Sequence, residues 1–266
     1  MKYRLLRILL LVALFSEHVA FGLMPEPGCL KPNIDFWEKV YTRYDLDEGI
    51  VHNTETFEIY DIVTLPKEKK ARASMVDVAL KTARVTHKQT DPNDIRLQNG
   101  IRSRFNKGLE ESYDLLPEIM AEAKRQGLPV EVSILPHVES SFNAKAQSKA
   151  GAQGLWQLMR STARMFGLTK KSDLLDVRKA TKAALKILAH NYKNTQQWPF
   201  ALTAYNHGLQ GVKNAMKYSK DFCTVYAGYQ GKTFGFASRN FYAQYLAALR
   251  ITNPLYTVQV PGWLVQ

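Results

Sequence analysis

Apolar and polar residues along this chain recur mainly with a helical period, and most runs of that period end at a recognisable stop. Phe36, Trp37, Val40, Tyr41 and Tyr44 repeat at helical spacing behind Asn33, which reads as a helix cap. Beyond Gly49 the period is lost. Phe57, Ile59, Ile62 and Val63 then form a short β-prone run closed by Pro66, which predicts an extended excursion. From Lys67 to His87 the chain is strongly charged, with an apolar stripe at Met75, Val78, Ala79, Thr82 and Val85, so a long solvent-facing helix is predicted. Thr90-Asp91-Pro92 breaks it. Helices are predicted over Asp94 to Asn106 and through Leu115, Ile119 and Ala123 to a stop at Gly127, and Pro129 opens another from Val130 to about Val138. Thr162 to Phe166, Thr181 to Tyr192, Phe200 to Tyr205, Gly211 to Tyr218 and Ser238 to Ile251 supply the rest. The predicted fold is mostly α, with no internal repeat.

The first residues break this pattern. Lys2, Arg4 and Arg7 precede the unbroken apolar run Ile8 to Phe15, and Ala20-Phe21-Gly22 offers small residues where a signal peptidase cuts. The run is too short to span a bilayer, so residues 1–22 read as a cleaved export signal with the mature start near Leu23. A lipid anchor on Cys29 is disfavoured, because Glu26-Pro27-Gly28 stands where a lipoprotein signal is apolar and small. A soft boundary near Asp91 to Gly100 then divides an N-terminal helical extension, 23–100, from a compact domain, 101–266.

The formal charge is +12, and removing the leader leaves 33 basic against 23 acidic residues, so the excess belongs to the exported protein. A basic exported protein suits an anionic polymer such as cell wall, or an anionic membrane surface; nucleic acid is not an expected partner, because the leader sends the chain away from it. No stable membrane anchor is expected, and the chain is read as a periplasmic or secreted monomer. Cys29 and Cys223 are the two cysteines of a chain bound for an oxidising compartment, which predicts a disulfide, with two unpaired thiols as the alternative.

The chemistry concentrates at one carboxylate. Glu139 is the only acidic residue between Glu131 and Asp173, and Val138, Phe142, Leu155 and Trp156 surround it in sequence. Partial desolvation in such company disfavours the charged form and raises the pKa toward that of a general acid. The predicted helix C-terminus pushes the same way. The six histidines are scattered without ligand spacing, and no phosphate loop or nucleophile elbow is present, so no metal or cofactor is expected.

Three motifs in fixed order carry a resemblance. Glu139-Ser140-Ser141-Phe142-Asn143 comes first, then Ser148 with Lys149-Ala150-Gly151-Ala152-Gln153-Gly154-Leu155-Trp156-Gln157-Leu158-Met159, then Ala204-Tyr205-Asn206-His207-Gly208. Together they resemble the soluble-lytic-transglycosylase (SLT) and goose-type lysozyme superfamily, and look most like its membrane-bound lytic murein transglycosylase D group. The catalytic likeness covers roughly Leu115 to Ile251, with Phe36-Trp37 and Ser238-Arg239-Asn240-Phe241-Tyr242 similar as well.

The resemblance implies a lysozyme-like catalytic domain acting on peptidoglycan glycan strands. Glu139 would protonate the glycosidic oxygen between N-acetylmuramic acid and N-acetylglucosamine. Glycosidases usually need a second carboxylate. The family's alternative is the substrate's own acetamido carbonyl, after which Glu139 takes the C6 hydroxyl proton and a 1,6-anhydro end forms without water. Asp173 or Asp176 activating water would instead make a lysozyme, including one working on deacetylated strands, and an idle glycan-binding protein on the same fold is the third reading. Ser148, Gln157, Tyr205 and Asn206 fall where the family places groups that orient glycan and acid, and Tyr242 is a candidate because Phe241 stands where relatives carry a tyrosine. From the residues alone, Phe142 reads as core, Trp156 as packing with stacking on a pyranose face as the alternative, and His137 as a packed or rim residue rather than a ligand.

Overall fold

The computed structural model describes residues 24–259, so the leader and its cleavage site lie outside the described residues. A 3-10 turn, Gly28–Leu30, leads into helix α1, Lys31–Thr42. Pro32 occupies its first turn, where a missing N–H costs nothing. Asn33 is therefore inside the helix rather than its cap. It is 1 % exposed, and its amide donates to Tyr226 Oη and Asn240 Oδ1, both at 2.7 Å.

Strands β1, Glu48–Asn53, and β2, Ile59–Thr64, pair antiparallel with a bulge at Val51/His52. Helix α2, Lys69–Thr86, follows, capped by the Glu68 carboxylate on the N–H groups of Lys70 and Ala71. The helix predicted from Asp94 is wrong in its first half. Ile95–Asn99 is strand β3, which pairs with β1 from Gly49↔Asn99 to Asn53↔Ile95 and completes a sheet of order β2-β1-β3. The physical reason lies in burial: Ile95 and Leu97, two apart, turn to one face and close a small core with Val51, Ala79 and Ala83 under α2. That packing also corrects the α2 stripe, since Ala79 and Ala83 are its buried residues while Met75, Val78 and Val85 stay exposed.

Helix α3, Arg102–Arg125, buries Phe105, Leu116, Ile119 and Ala123. The next segment is a 3-10 stretch, Val130–Ile134, that tightens into the short helix α4, Leu135–Glu139. Then come α5, Arg160–Met165, α6, Val177–Thr195, α7, Trp198–His207, α8, Leu209–Tyr218, α9, Phe222–Gly228, and α10, Phe236–Gln259. One hydrophobic core runs from Met24 through Trp37, Phe105, Leu135, Trp156 and Leu202 to Ala248, so α1 packs into the same interior as the helices beyond residue 100. Cys29 and Cys223 form a disulfide that ties the turn before α1 to α9. Among the described residues no helix is long and apolar enough to cross a membrane.

Candidate active site

Glu139 ends α4 because the chain cannot continue as a helix there. Ser140 N–H and Phe142 N–H both turn back to the Pro136 carbonyl, at 3.0 and 3.1 Å, and Ser141 and Phe142 take positive φ of 50° and 55°. Two consecutive non-glycine residues in that region store strain, which persists only where surrounding structure holds it. Phe142 is 1 % exposed and anchors the turn, while Ser140 Oγ donates to the Leu155 carbonyl at 2.7 Å. Gly108 of α3 completes the support: a Cβ there would lie 2.8 Å from the Ser141 carbonyl oxygen, so only glycine lets α3 pass this close.

Burial pushes the Glu139 carboxyl up to about 8. The residue keeps part of its surface open to a groove of about 1030 Å³, so water tempers the shift without changing its direction. His137, 1 % exposed, is pushed down to about 3 by burial and packs its ring against Phe105 and Phe142 as an uncharged core side chain. Two phenols report the charge of Glu139. Tyr205 and Tyr41 are raised first by their own burial and then by that charge. Tyr205 belongs to a motif; Tyr41, on α1 and stacked on Phe105, has no such signal, and its helical spacing read only as core.

Gln157 lines the same groove. Its amide nitrogen donates to the Gly154 and Ala146 carbonyls at 2.8 and 3.3 Å, which leaves the amide oxygen as the free acceptor. Gly154 is obligatory beside it, since a Cβ there would sit 2.1 Å from the Leu174 carbonyl oxygen. Trp156 is fully buried, its indole N–H on Thr181 Oγ1, and its carbonyl accepts the Tyr205 hydroxyl at 2.8 Å. Tyr205 thus locks the Trp156-Gln157 backbone from α7.

The other sequence candidates lie elsewhere. Ser148 Oγ accepts the Ala152 N–H at 3.0 Å and braces its own loop, outside the groove lining. Asn206 is exposed at the end of α7 and is also outside that lining. Tyr242 is fully buried against Phe222 and Tyr245, with its hydroxyl donating to the Pro25 carbonyl at 2.6 Å, so this residue is corrected to a structural one. Its neighbour Phe241 is buried too. Asp173 is held by Lys179 at 2.8 Å and Asp176 caps α6; neither lines the groove. Glu111 does, together with Arg104, Lys107 and Lys145, which make the mouth net positive. Sequence reading passed over Glu111 because it lies on a helix full of exposed charge. Among the described residues no His, Cys, Asp and Glu cluster holds the geometry of a metal site.

Residues 117–225 match the Transglycosylase SLT domain, the class that the acid, its turn and the groove had pointed to. The match takes in Glu139 and the three sequence motifs and covers less than half of the chain. It is similar to the membrane-bound lytic murein transglycosylase D of Escherichia coli K12, at 38 % identity over 106 residues, which is 38 % of this chain and 24 % of that protein. A putative tributyltin chloride resistance protein of Alteromonas sp. M-1 is 33 % identical over 110 residues, 39 % of this chain and 52 % of that one. Among solved structures, the inactive mutant of lytic transglycosylase Slt from Pseudomonas aeruginosa matches with a TM-score of 0.41 at 25 % identity, over 52 % of this chain and 24 % of that chain. The matches span about a quarter to a half of the curated relatives' own lengths.

Proposed function

We propose that this protein is a peptidoglycan glycosidase that cleaves the β-1,4 bond between N-acetylmuramic acid and N-acetylglucosamine, with Glu139 as both acid and base. The observation that carries this reading is a buried, proton-retaining carboxyl opening on a long groove within an SLT domain. A carboxyl pushed up to about 8 holds its proton at neutral pH and delivers it to the glycosidic oxygen as the bond breaks. The acetamido carbonyl of the substrate then stabilises the developing cation. Glu139, now an anion in a site built for its neutral form, recovers a proton from the C6 hydroxyl, and that oxygen closes the 1,6-anhydro ring. Gln157 offers its carbonyl to a glycan N–H or O–H, and Arg104, Lys107 and Lys145 attract the carboxylates of stem peptides. The 23–100 extension supports the acid through Tyr41, the 101–266 domain carries the chemistry, and one exported chain acting as a monomer supplies every group.

Glu111 supports a second reading, hydrolysis, because it is the other acidic side chain lining the groove. Mass spectrometry of digested, fully acetylated sacculi separates the two. Anhydro products are lighter by one water and lack a reducing muramic end. Reducible ends that disappear in Glu111→Gln would replace transglycosylation by hydrolysis. A folded Glu139→Gln protein with undiminished turnover would remove the assignment altogether.

A further inference from the structure

Helix α2 presents a second apolar stripe that its fold does not use. At ~100° per residue, Ala71, Met75, Val78, Thr82 and Val85 fall within about 80° of arc. The buried residues Ala79 and Ala83 face the sheet from the side of this stripe. Met75, Val78 and Val85 are 38, 55 and 81 % exposed, three of the exposed large hydrophobic residues among those described. A helix over a three-stranded sheet needs only one apolar face, and this helix has that face in its alanines. The outward stripe is surplus to folding.

Its electrostatic setting selects the occupant. Residues 67–88 contain seven lysines and arginines against Glu68 and Asp77, and Glu68 is engaged in capping the helix. Lys70 and Lys81 stand exposed and flank the stripe at about 80–100° from its middle, Lys81 pairing with Asp77 at 2.8 Å. A second copy of the helix would bring like charges together. A glycan strand would meet the charge but gives valine and methionine nothing to bury in. An anionic lipid surface satisfies both, taking lysines at the headgroups and short apolar side chains just below them. Arg72 also donates to the Leu46 carbonyl at 2.9 Å, and Leu46 lines the groove, so α2 is fixed to the groove's own edge.

We propose that α2 is a peripheral docking surface for anionic membrane, holding the groove beside the bilayer without spanning it. The inference does not depend on the glycosidase reading. The test compares the full chain with its α2 variants on vesicles of phosphatidylglycerol and phosphatidylcholine, so that any contribution of residues 1–22 is common to all. Met75→Ser/Val78→Ser/Val85→Ser and Lys70→Gln/Lys81→Gln should each lower partitioning onto phosphatidylglycerol vesicles by about tenfold, with little binding to phosphatidylcholine alone. Circular dichroism spectra and thermal melts that match the unmodified chain would show both variants folded. Val85→Trp reads the helix directly, and its emission should shift to the blue on anionic vesicles only. No shift, or equal shifts on both vesicle types, overturns the proposal. So does loss of sacculus binding in the lysine variant alone, which would assign the charge to wall polymer, or a concentration-dependent dimer abolished by the serine variant.

Discussion

Replacing Glu139 by Gln should remove activity and, at neutral to alkaline pH, make the protein more stable. Glu139 is held protonated from its ordinary 4.5 up to about 8 by burial. Between those limits the unfolded chain releases the proton and the folded one keeps it. Stability therefore falls as pH rises, by up to about 1.4 kcal/mol per pH unit, and stops falling above the folded value. At pH 7 the ceiling is about 3.4 kcal/mol, and the part of the residue that faces the groove brings the effect to roughly 2 kcal/mol through water screening. Gln cannot ionise. Urea unfolding of wild type and Glu139→Gln should give the same pH dependence below about pH 4.5, a gap that widens in favour of the mutant from there to about pH 8, and a constant gap beyond. Cleavage by the mutant should drop by about 100-fold or more with glycan binding retained, and wild-type turnover should fall as pH passes through the value of the acid. A stability gap that does not change with pH would refute the burial argument even if activity is lost.

Other outcomes follow from single contacts. Reducing the Cys29–Cys223 disulfide, which closes a separation of 194 residues, should lower stability by at most about 5 kcal/mol, while cleavage at low temperature persists; thermal melts with and without reductant measure it. Gly108→Ala should lose about 1–3 kcal/mol by overpacking against Ser141 despite the better helix propensity of alanine, and should reduce cleavage because the Glu139 turn moves. Tyr205→Phe leaves the Trp156 carbonyl unpaired and should slow cleavage, whereas Tyr242→Phe should cost stability alone, about 1 kcal/mol; paired melts and rates on the two variants test this contrast.

Much of the site could be read from residue order. Glu139 stands in an acid-poor, apolar stretch, and solvent exclusion follows from that company in any compact arrangement. Helices of strong period, such as those over Thr181 to Tyr192 and Ser238 to Ile251, appeared where expected because an amphipathic stripe has a helix as its natural way of burial. The positions of Phe142 and Trp156 in the core followed from the same preference, while the choice between core and rim for His137 was made by the fold.

Tertiary structure alone decided the rest, because a sequence pattern specifies a period and leaves open which neighbour covers each face. Ile95 and Leu97 became strand residues only because β1 had an open edge and α2 a bare alanine face above it. Asn33 and Tyr242 reached partners 207 and 217 residues away, Asn240 and Pro25, which no local rule anticipates. Tyr41 and Glu111 entered the candidate site by helix packing, both from outside the matched residues 117–225, one on α1 and one on the charged face of α3. Local chemistry marked Glu139 as the candidate acid, and the packing of distant helices determined which groups surround it.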